Sequence, residues 1–389
     1  MQIDKKQEFT QEIAVFGESG SGKTVLVSSF YGAMLEPSVS SSSSFSITAS
    51  DTKQGMLLHQ NYLGMKKAAV PQTTRFNAKS YDFLVKPSKD GPAGEGDIPI
   101  DILRVVWHDY PGDWFEQESS SSTEEARRIG LFKALLGSDV ALILIDGQKL
   151  LDNAGREASY LKSVFANLRT TFLRLEDSIL EDGKKLKRFP RIWVIALSKA
   201  DLLPDLDVFG FRDLVVGSAA EDVGEFQTVL ERFVEQPKAL CIGQDFVRLS
   251  SAQFEPEKID VSQRIGLDLV LPIAAIFPID RLLDWMSRGL FARKMAARLI
   301  QPVYRLSKAL RRIVKDDKQD STAAEPSDSL DWLNLLAPIL DVFVDQSREA
   351  LVEMNRKAQE DKKYMEEILT EFKLRLDDGE NQRVICRRW

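Results

Sequence analysis

GESGSGKT, running from Gly17 to Thr24, limits what this 389-residue chain can fold into more than any other stretch. It carries the spacing G-x-x-x-x-G-K-[ST]. The apolar run Glu12-Ile13-Ala14-Val15-Phe16 before it reads as a buried strand, and Val25-Leu26-Val27-Ser28-Ser29-Phe30 behind it opens a helix. Gly17, Gly20 and Gly22 let successive N–H groups turn inward around an anion. The positive end of the helix dipole and the Lys23 ammonium add charge for outer phosphates, while Thr24 offers a hydroxyl to a magnesium ion. The stretch therefore predicts a nucleoside triphosphate site lined by Gly17, Ser19, Gly20, Ser21, Gly22, Lys23 and Thr24.

Composition narrows the class around that site. With 43% apolar and 29% charged residues the chain has an ordinary globular balance, and its length allows one large domain with a smaller one. A net charge of -7 argues against a protein that coats nucleic acid. Two cysteines, Cys241 and Cys386, and two histidines, His59 and His108, supply neither a disulfide framework nor a structural zinc cluster. A reducing, cytoplasmic compartment is expected. The first residues, MQIDKKQEFTQE, lack the apolar core of a signal peptide. The most apolar window, Leu267 to Phe277, is about half the length of a spanning helix and is broken by Pro272.

After the first helix, the serine-rich stretch Glu36 to Thr52 predicts a mobile loop. Pro71-Gln72-Thr73-Thr74 follows. Tyr81 to Lys86 and Ile98 to Trp107, divided by a turn-rich segment, read as a β-hairpin. The second strand delivers Asp109-Tyr110-Pro111-Gly112. A carboxylate there can hold magnesium through water, and the Gly112 N–H can approach a γ-phosphate because no side chain blocks it. His108 neighbours Asp109 on a strand, so it points mostly away and is assigned to packing or hydrogen bonding. Trp114 and Phe115 read as hydrophobic anchors of a loop.

A helix is expected through Leu136, a strand over Val140 to Ile145, and a long helix from Asn153 to about Glu181. Another buried strand, Arg191 to Leu197, ends in Ser198-Lys199-Ala200-Asp201. Guanine presents a ring N–H beside an exocyclic amine, and one carboxylate such as Asp201 accepts both, while the Lys199 stem can lie along the base. This favours guanine over adenine. A helix near Ala219 to Val234 and a strand over Asp245 to Leu249 lead to Ser250-Ser251-Ala252, where a small residue lets a backbone N–H reach the base.

Taken in order, GESGSGKT, PQTT, DYPG, SKAD and SSA resemble the five motifs of TRAFAC-class GTPases over about residues 10 to 255. The DYPGDW form is also similar to bacterial YcjX-like and double-GTPase proteins, some of them found in stress or phage-defence gene neighbourhoods. The resemblance implies an α/β fold, a Ras-like P-loop NTPase three-layer sandwich whose mostly parallel sheet has one antiparallel strand. It implies GTP/GDP and Mg2+ as ligands, with Thr24, Thr74 and Asp109 at the metal. Lys23, Thr74 (or else Thr73), Gly112 and Asp113 would face the γ-phosphate chemistry. Ser198, Lys199, Asp201, Ser251 and Ala252 would hold the base.

Two residues depart from that pattern. Ser198 stands where asparagine usually begins the base motif, which removes an amide that ties the pocket to the phosphate loop. Asp113 stands where a water-orienting glutamine often follows DxxG, so hydrolysis is expected to be slow or to need a partner.

Beyond residue 255 no catalytic motif is evident. Residues 256–315 read as a connecting segment, with Ile265 to Trp285 as a packed link and a basic amphipathic helix over 288–315, where nine cations from Arg288 to Lys315 meet no acid. Residues 316–328 form a polar linker, and 329–389 an α-helical C-terminal region, read as a helical hairpin or docking arm. The basic helix suits intramolecular docking or a protein partner, including a homodimer, before an anionic membrane surface, with nucleic acid last. A guanine-nucleotide switch is the leading expectation. The alternatives are a nucleotide-stabilised scaffold with little turnover and a P-loop ATPase or nucleotide kinase.

Overall fold

Successive side chains of the first strand point to opposite faces of a sheet, and this alternation divides the core. Ile13 and Val15 enter one buried cluster, Ala14 and Phe16 another. The computed structural model describes residues 9–40, 43–69, 79–87, 103–109, 122–186, 189–235, 237–255, 258–287 and 358–387. In chain order these form β1 (Phe9–Phe16), α1 (Lys23–Met34), α2 (Pro37–Ser40), β2 (Phe45–Ala49), α3 (Thr52–Met65), β3 (Lys79–Pro87), β4 (Leu103–Asp109) and α4 (Ser122–Leu135). Then follow β5 (Val140–Asp146), α5 (Gly147–Asp152), α6 (Glu157–Ile179), β6 (Ile192–Ser198), α7 (Val208–Phe233) and β7 (Cys241–Arg248). The small strands β8 (Gln253–Glu255) and β9 (Lys258–Asp260), α8 (Val270–Ser287), α9 (Ala358–Asn381) and β10 (Ile385–Cys386) complete the described elements.

An eight-stranded sheet in the order β10-β7-β6-β5-β1-β4-β3-β2 forms the middle layer. β4, β1, β5, β6 and β7 are parallel neighbours, and β3 runs antiparallel between β4 and β2. Every residue of β5 and β6 is buried, as expected of parallel strands covered on both faces. Leu26 and Phe30 of α1, Ile273 of α8 and Phe372 of α9 cover one face. Phe132 of α4, Phe165 of α6 and Phe226 of α7 cover the other. This is the three-layer α/β sandwich the motifs implied. On the second face, Phe16 stacks on Trp193 at 5.2 Å between ring centroids, and Phe172 meets Phe132 edge-on at 4.9 Å.

The stretch from Glu36 to Thr52, expected as a mobile loop, is instead built into the fold. Pro37–Ser40 forms a helical turn, and Phe45–Ala49 pairs antiparallel with β3. Phe45 and Ile47 are buried on alternate positions, so two apolar side chains define a strand that the serines around them conceal. The expected helix at Ala219 starts earlier. Asp207 caps it by accepting from the Gly210 N–H at 2.8 Å, and the expected start coincides with a break in helical geometry at Ala219, φ -141°.

The C-terminal residues join the main sheet. β10 pairs antiparallel with β7, a second antiparallel strand beside β3. Ile368, Leu369, Phe372, Leu376 and Ile385 share a buried cluster with Ile13, Val15 and the α8 residues Val270 to Phe277. At the opposite edge, Glu371 accepts from the Ser44 N–H at 2.8 Å, Arg375 donates to Ser43 Oγ at 2.9 Å, and Phe372 meets Phe45 edge-on at 5.3 Å. The C-terminal segment thus reaches from the β2 edge of the sheet to the β7 edge, and the sheet's packing does not stop at residue 255. The basic stretch at 288–315, the linker at 316–328 and the start of the helical pattern after it lie outside the described residues. No helix among the described residues is long and apolar enough to cross a membrane.

Candidate nucleotide-binding site

The parallel order of the central strands carries three of the predicted segments to one end of the sheet. The phosphate loop follows β1, Asp109 ends β4, and Ser198 ends β6. β1 and β4 are direct neighbours, with Val15 in register with Asp109. The loop after Phe16 therefore begins beside the carboxylate.

The loop turns through two left-handed glycines, Gly20 at φ +80° and Gly22 at φ +87°, conformations that side chains with a Cβ resist. Gly22 caps α1, so the N–H groups at the start of that helix face the loop interior. Lys23 is buried, and its ammonium donates to Gly17 O at 2.7 Å and Glu18 O at 2.9 Å. Ser21 is also buried, with its hydroxyl 3.4 Å from Lys23 Nζ. Thr24 Oγ1 donates to Asp109 Oδ2 at 3.1 Å. A hydroxyl and a buried carboxylate that meet beside a loop of inward N–H groups are hard oxygen donors, and they fit a magnesium ion held against phosphates.

The residues expected to read the base sit two strands away. Ser198 is buried and its hydroxyl donates to Ile145 O at 3.2 Å. Lys199 adopts left-handed backbone geometry, φ 52° and ψ 40°, and its ammonium pairs with Asp146 Oδ2 at 2.8 Å. Gly147 allows this close approach: a Cβ there would lie 2.6 Å from Ser198 O and 2.8 Å from Lys199 O.

Asp201 is held at both oxygens. Ser250 Oγ lies 2.5 Å from Asp201 Oδ1 and shares its proton with Ala252 O at 2.7 Å, while the Phe254 N–H donates to Asp201 Oδ2 at 3.2 Å. Ala252 is fully buried, and Ser251 O accepts from Ser29 Oγ of α1 at 2.6 Å. The loop after β7 thus touches both Asp201 and the helix that follows the phosphate loop. Arg248 supports it from below by donating to Ala200 O at 3.4 Å and Leu203 O at 3.3 Å. Burial pushes the Arg248 guanidinium below the usual arginine range, partly opposed by Asp207.

Sequence reasoning placed Ser250 in the SSA motif without its contact to Asp201, and missed Phe254, Arg248 and Asp146. Asp146 is one residue past the end of the strand expected over Val140 to Ile145. Phe254 acts through its backbone, which side-chain identity does not signal. His108, assigned to hydrogen bonding, lies 2.8 Å from Ser80 Oγ through Nδ1 and 3.1 Å from Glu12 Oε2 through Nε2. Thr73, Thr74, Gly112, Asp113, Trp114 and Phe115 lie outside the described residues.

A model of the Double-GTPase 2 family matches residues 11–271. Among solved structures, the cytosolic domain of the T. maritima FeoB iron transporter in a GDP form is similar at 12% identity and a TM-score of 0.24, over 93% of this chain and 98% of that one. A bacterial dynamin pair, described as oligomerised and as a mechanism for long-range sensing and tethering of membranes, is similar at 14% identity and a TM-score of 0.24, over 98% of this chain and 70% of that one. No curated protein sequence matches the chain.

Proposed function

From the premise that this chain belongs to the Double-GTPase 2 family and binds guanine nucleotide, we propose that it is a magnesium-dependent molecular switch that hydrolyses GTP slowly. The contact between Thr24 and Asp109 carries this reading, because it brings together a helix-initiating hydroxyl and a strand-end carboxylate, the two residues that would hold a magnesium ion. Held there, magnesium would supply neutralisation of charge on the phosphate oxygens. The N–H groups of residues 19–24 hold the phosphates, and Lys23 stabilises the charge that develops as GDP leaves. Thr74 or Thr73 and the Gly112 N–H sense the γ-phosphate from opposite sides, so their contacts are lost on cleavage. Asp113 is shorter than glutamine and negatively charged, which disfavours it as a water-orienting group and supports slow or partner-stimulated turnover.

Asp201 accepts the paired donors of guanine and Lys199 lies along its ring, with Ser198, Ser251 and Ala252 completing the pocket. The signal leaves through the helical C-terminal region, to a protein partner or a second copy of the chain. A cytoplasmic location, with peripheral contact to anionic membrane through the basic 288–315 stretch, and a role in bacterial stress or phage defence complete the proposal.

One titration tests it. The full chain, supplied with magnesium, is titrated with GTP, GDP and ATP, and phosphate release is then followed. Preference for GTP and GDP over ATP with slow release supports the switch. Binding without release points to a nucleotide-stabilised scaffold, and preference for ATP removes the guanine assignment.

A further inference from the structure

The loop expected to read the base, residues 199–207, joins β6 to α7, and near both of its ends it is fastened to the turn between α9 and β10. α9 ends at Asn381, and Arg383 then takes a left-handed conformation, φ 56°, which a non-glycine residue adopts only where its surroundings hold it. The Val384 N–H closes this turn by donating to Gly379 O at 2.8 Å. Lys199, at the head of the base loop, is held in the same uncommon geometry, φ 52°.

Two fastenings run from the turn. At the far end of the loop, Arg383 Nη1 donates to Asp207 Oδ2 at 2.9 Å, and the Val208 N–H donates to Arg383 O at 3.1 Å. Asp207 Oδ1 accepts from the Gly210 N–H at 2.8 Å, so one carboxylate joins the start of α7 to the turn. At the head of the loop, the Arg248 N–H donates to Val384 O at 2.8 Å, and Arg248 Nη2 donates to Ala200 O at 3.4 Å and Leu203 O at 3.3 Å. The Ala200 N–H donates to Leu249 O at 3.2 Å. Ala200 lies between Lys199 and Asp201, so fixing its N–H and its carbonyl fixes the backbone from which both side chains start.

Arg248 is buried, and its Nε has no hydrogen-bond partner among the described residues. A guanidinium taken out of water and only partly paired adds little to stability, and apolar side chains of similar size often replace such groups without loss. What Arg248 contributes is a hold on two carbonyls of the base loop.

We propose that Arg248 and Arg383 are positioning residues for the guanine ring, through which the turn between α9 and β10 keeps Lys199 and Asp201 in place and slows the release of nucleotide. This rests on the guanine-nucleotide reading given above. The test uses the full chain with magnesium, fluorescent GDP, and tripolyphosphate, which has no base. Arg248→Met should speed GDP release by about tenfold, and Arg383→Ala by about threefold, the smaller effect because that ion pair is exposed. Both should change the affinity for tripolyphosphate by less than about twofold. Arg248→Lys keeps a charged donor for the loop carbonyls and should release GDP at an intermediate rate.

GDP release at the wild-type rate in both variants, or equal weakening of GDP and tripolyphosphate, would overturn the proposal. Should Arg248→Met not fold, Arg383→Ala carries the test alone, because the Arg383 side chain is 66% exposed and its removal leaves the core as it was. A wild-type protein that ignores GDP would overturn the functional reading instead.

Discussion

Thr24 Oγ1 donates to Asp109 Oδ2 at 3.1 Å, a contact that closes 85 positions of chain between the start of α1 and the end of β4. Two hard oxygens so placed suit a divalent cation better than they suit each other. Thr24→Ala and Asp109→Asn should each reduce the magnesium enhancement of GTP affinity by at least about tenfold. Comparing affinities with and without a chelator measures this. An undiminished enhancement in both variants would move the metal elsewhere.

Lys23 is buried against its own loop, where its charge is poorly screened by water. Lys23→Ala should weaken GTP by more than about a hundredfold and leave the thermal midpoint of the nucleotide-free protein within a few degrees. Calorimetric titration beside a melting scan separates the two effects. A variant that binds as tightly as wild type would reject the phosphate-loop assignment.

Asp201 accepts from the Ser250 hydroxyl and the Phe254 N–H, which fix its carboxylate. Asp201→Asn should shift the preference from GTP toward xanthosine triphosphate by about a hundredfold, because an amide donates where xanthine carries a carbonyl. Competition between the two nucleotides reads the ratio directly. An unchanged ratio places the base pocket at other residues.

Phe372 is fully buried and shares a cluster with Ile13 and Val15 of the strand that carries the phosphate loop. Phe372→Ala should cost about 3–5 kcal/mol and lower the urea midpoint of the whole protein in a single transition. If the sheet unfolded at its original midpoint while only the C-terminal helix was lost, that helix would be an appendage and not part of the core.

Burial raises the hydroxyl of Tyr62 from about 10 to about 12, and pushes those of Tyr81 and Tyr160 higher still. The unfolded chain therefore loses these protons at lower pH than the folded one. Above pH 10 the native state binds more protons, so stability falls as pH rises. An alkaline titration followed by tyrosinate absorbance should show Tyr62, Tyr81 and Tyr160 ionising late, together with unfolding. Smooth titration of all of them before any loss of structure would contradict their burial.

The phosphate loop, the paired strands β3 and β4, and the buried strands β5 and β6 were legible because each is a local pattern. Glycine spacing, or an unbroken apolar run between turn residues, decides the conformation without help from distant contacts. The double-GTPase resemblance drawn from DYPGDW agrees with the family match. β2 was not legible: its two buried anchors, Phe45 and Ile47, are set among serines, and the pairing partner that orders them lies in β3. β10 was hidden for the same reason, since Ile385 and Cys386 become a strand only beside Val247 and Phe246. At the site, sequence order singled out Asp201 and the SSA run but not the contacts of Ser250 and the Phe254 N–H to Asp201, because those depend on how the loop after β7 folds back.

The pairing of Ile385 with Val247 also has a consequence during biosynthesis. A nascent chain that has emerged as far as β7 holds the predicted phosphate and base residues, yet its outermost strand has an unpaired edge and the surface that will receive Phe372 is uncovered. At ordinary elongation rates that state lasts roughly ten seconds or more before the ribosome supplies the missing helix and strand. During this interval the half-built sheet is exposed to aggregation, and a chaperone that shields strand edges would act on it.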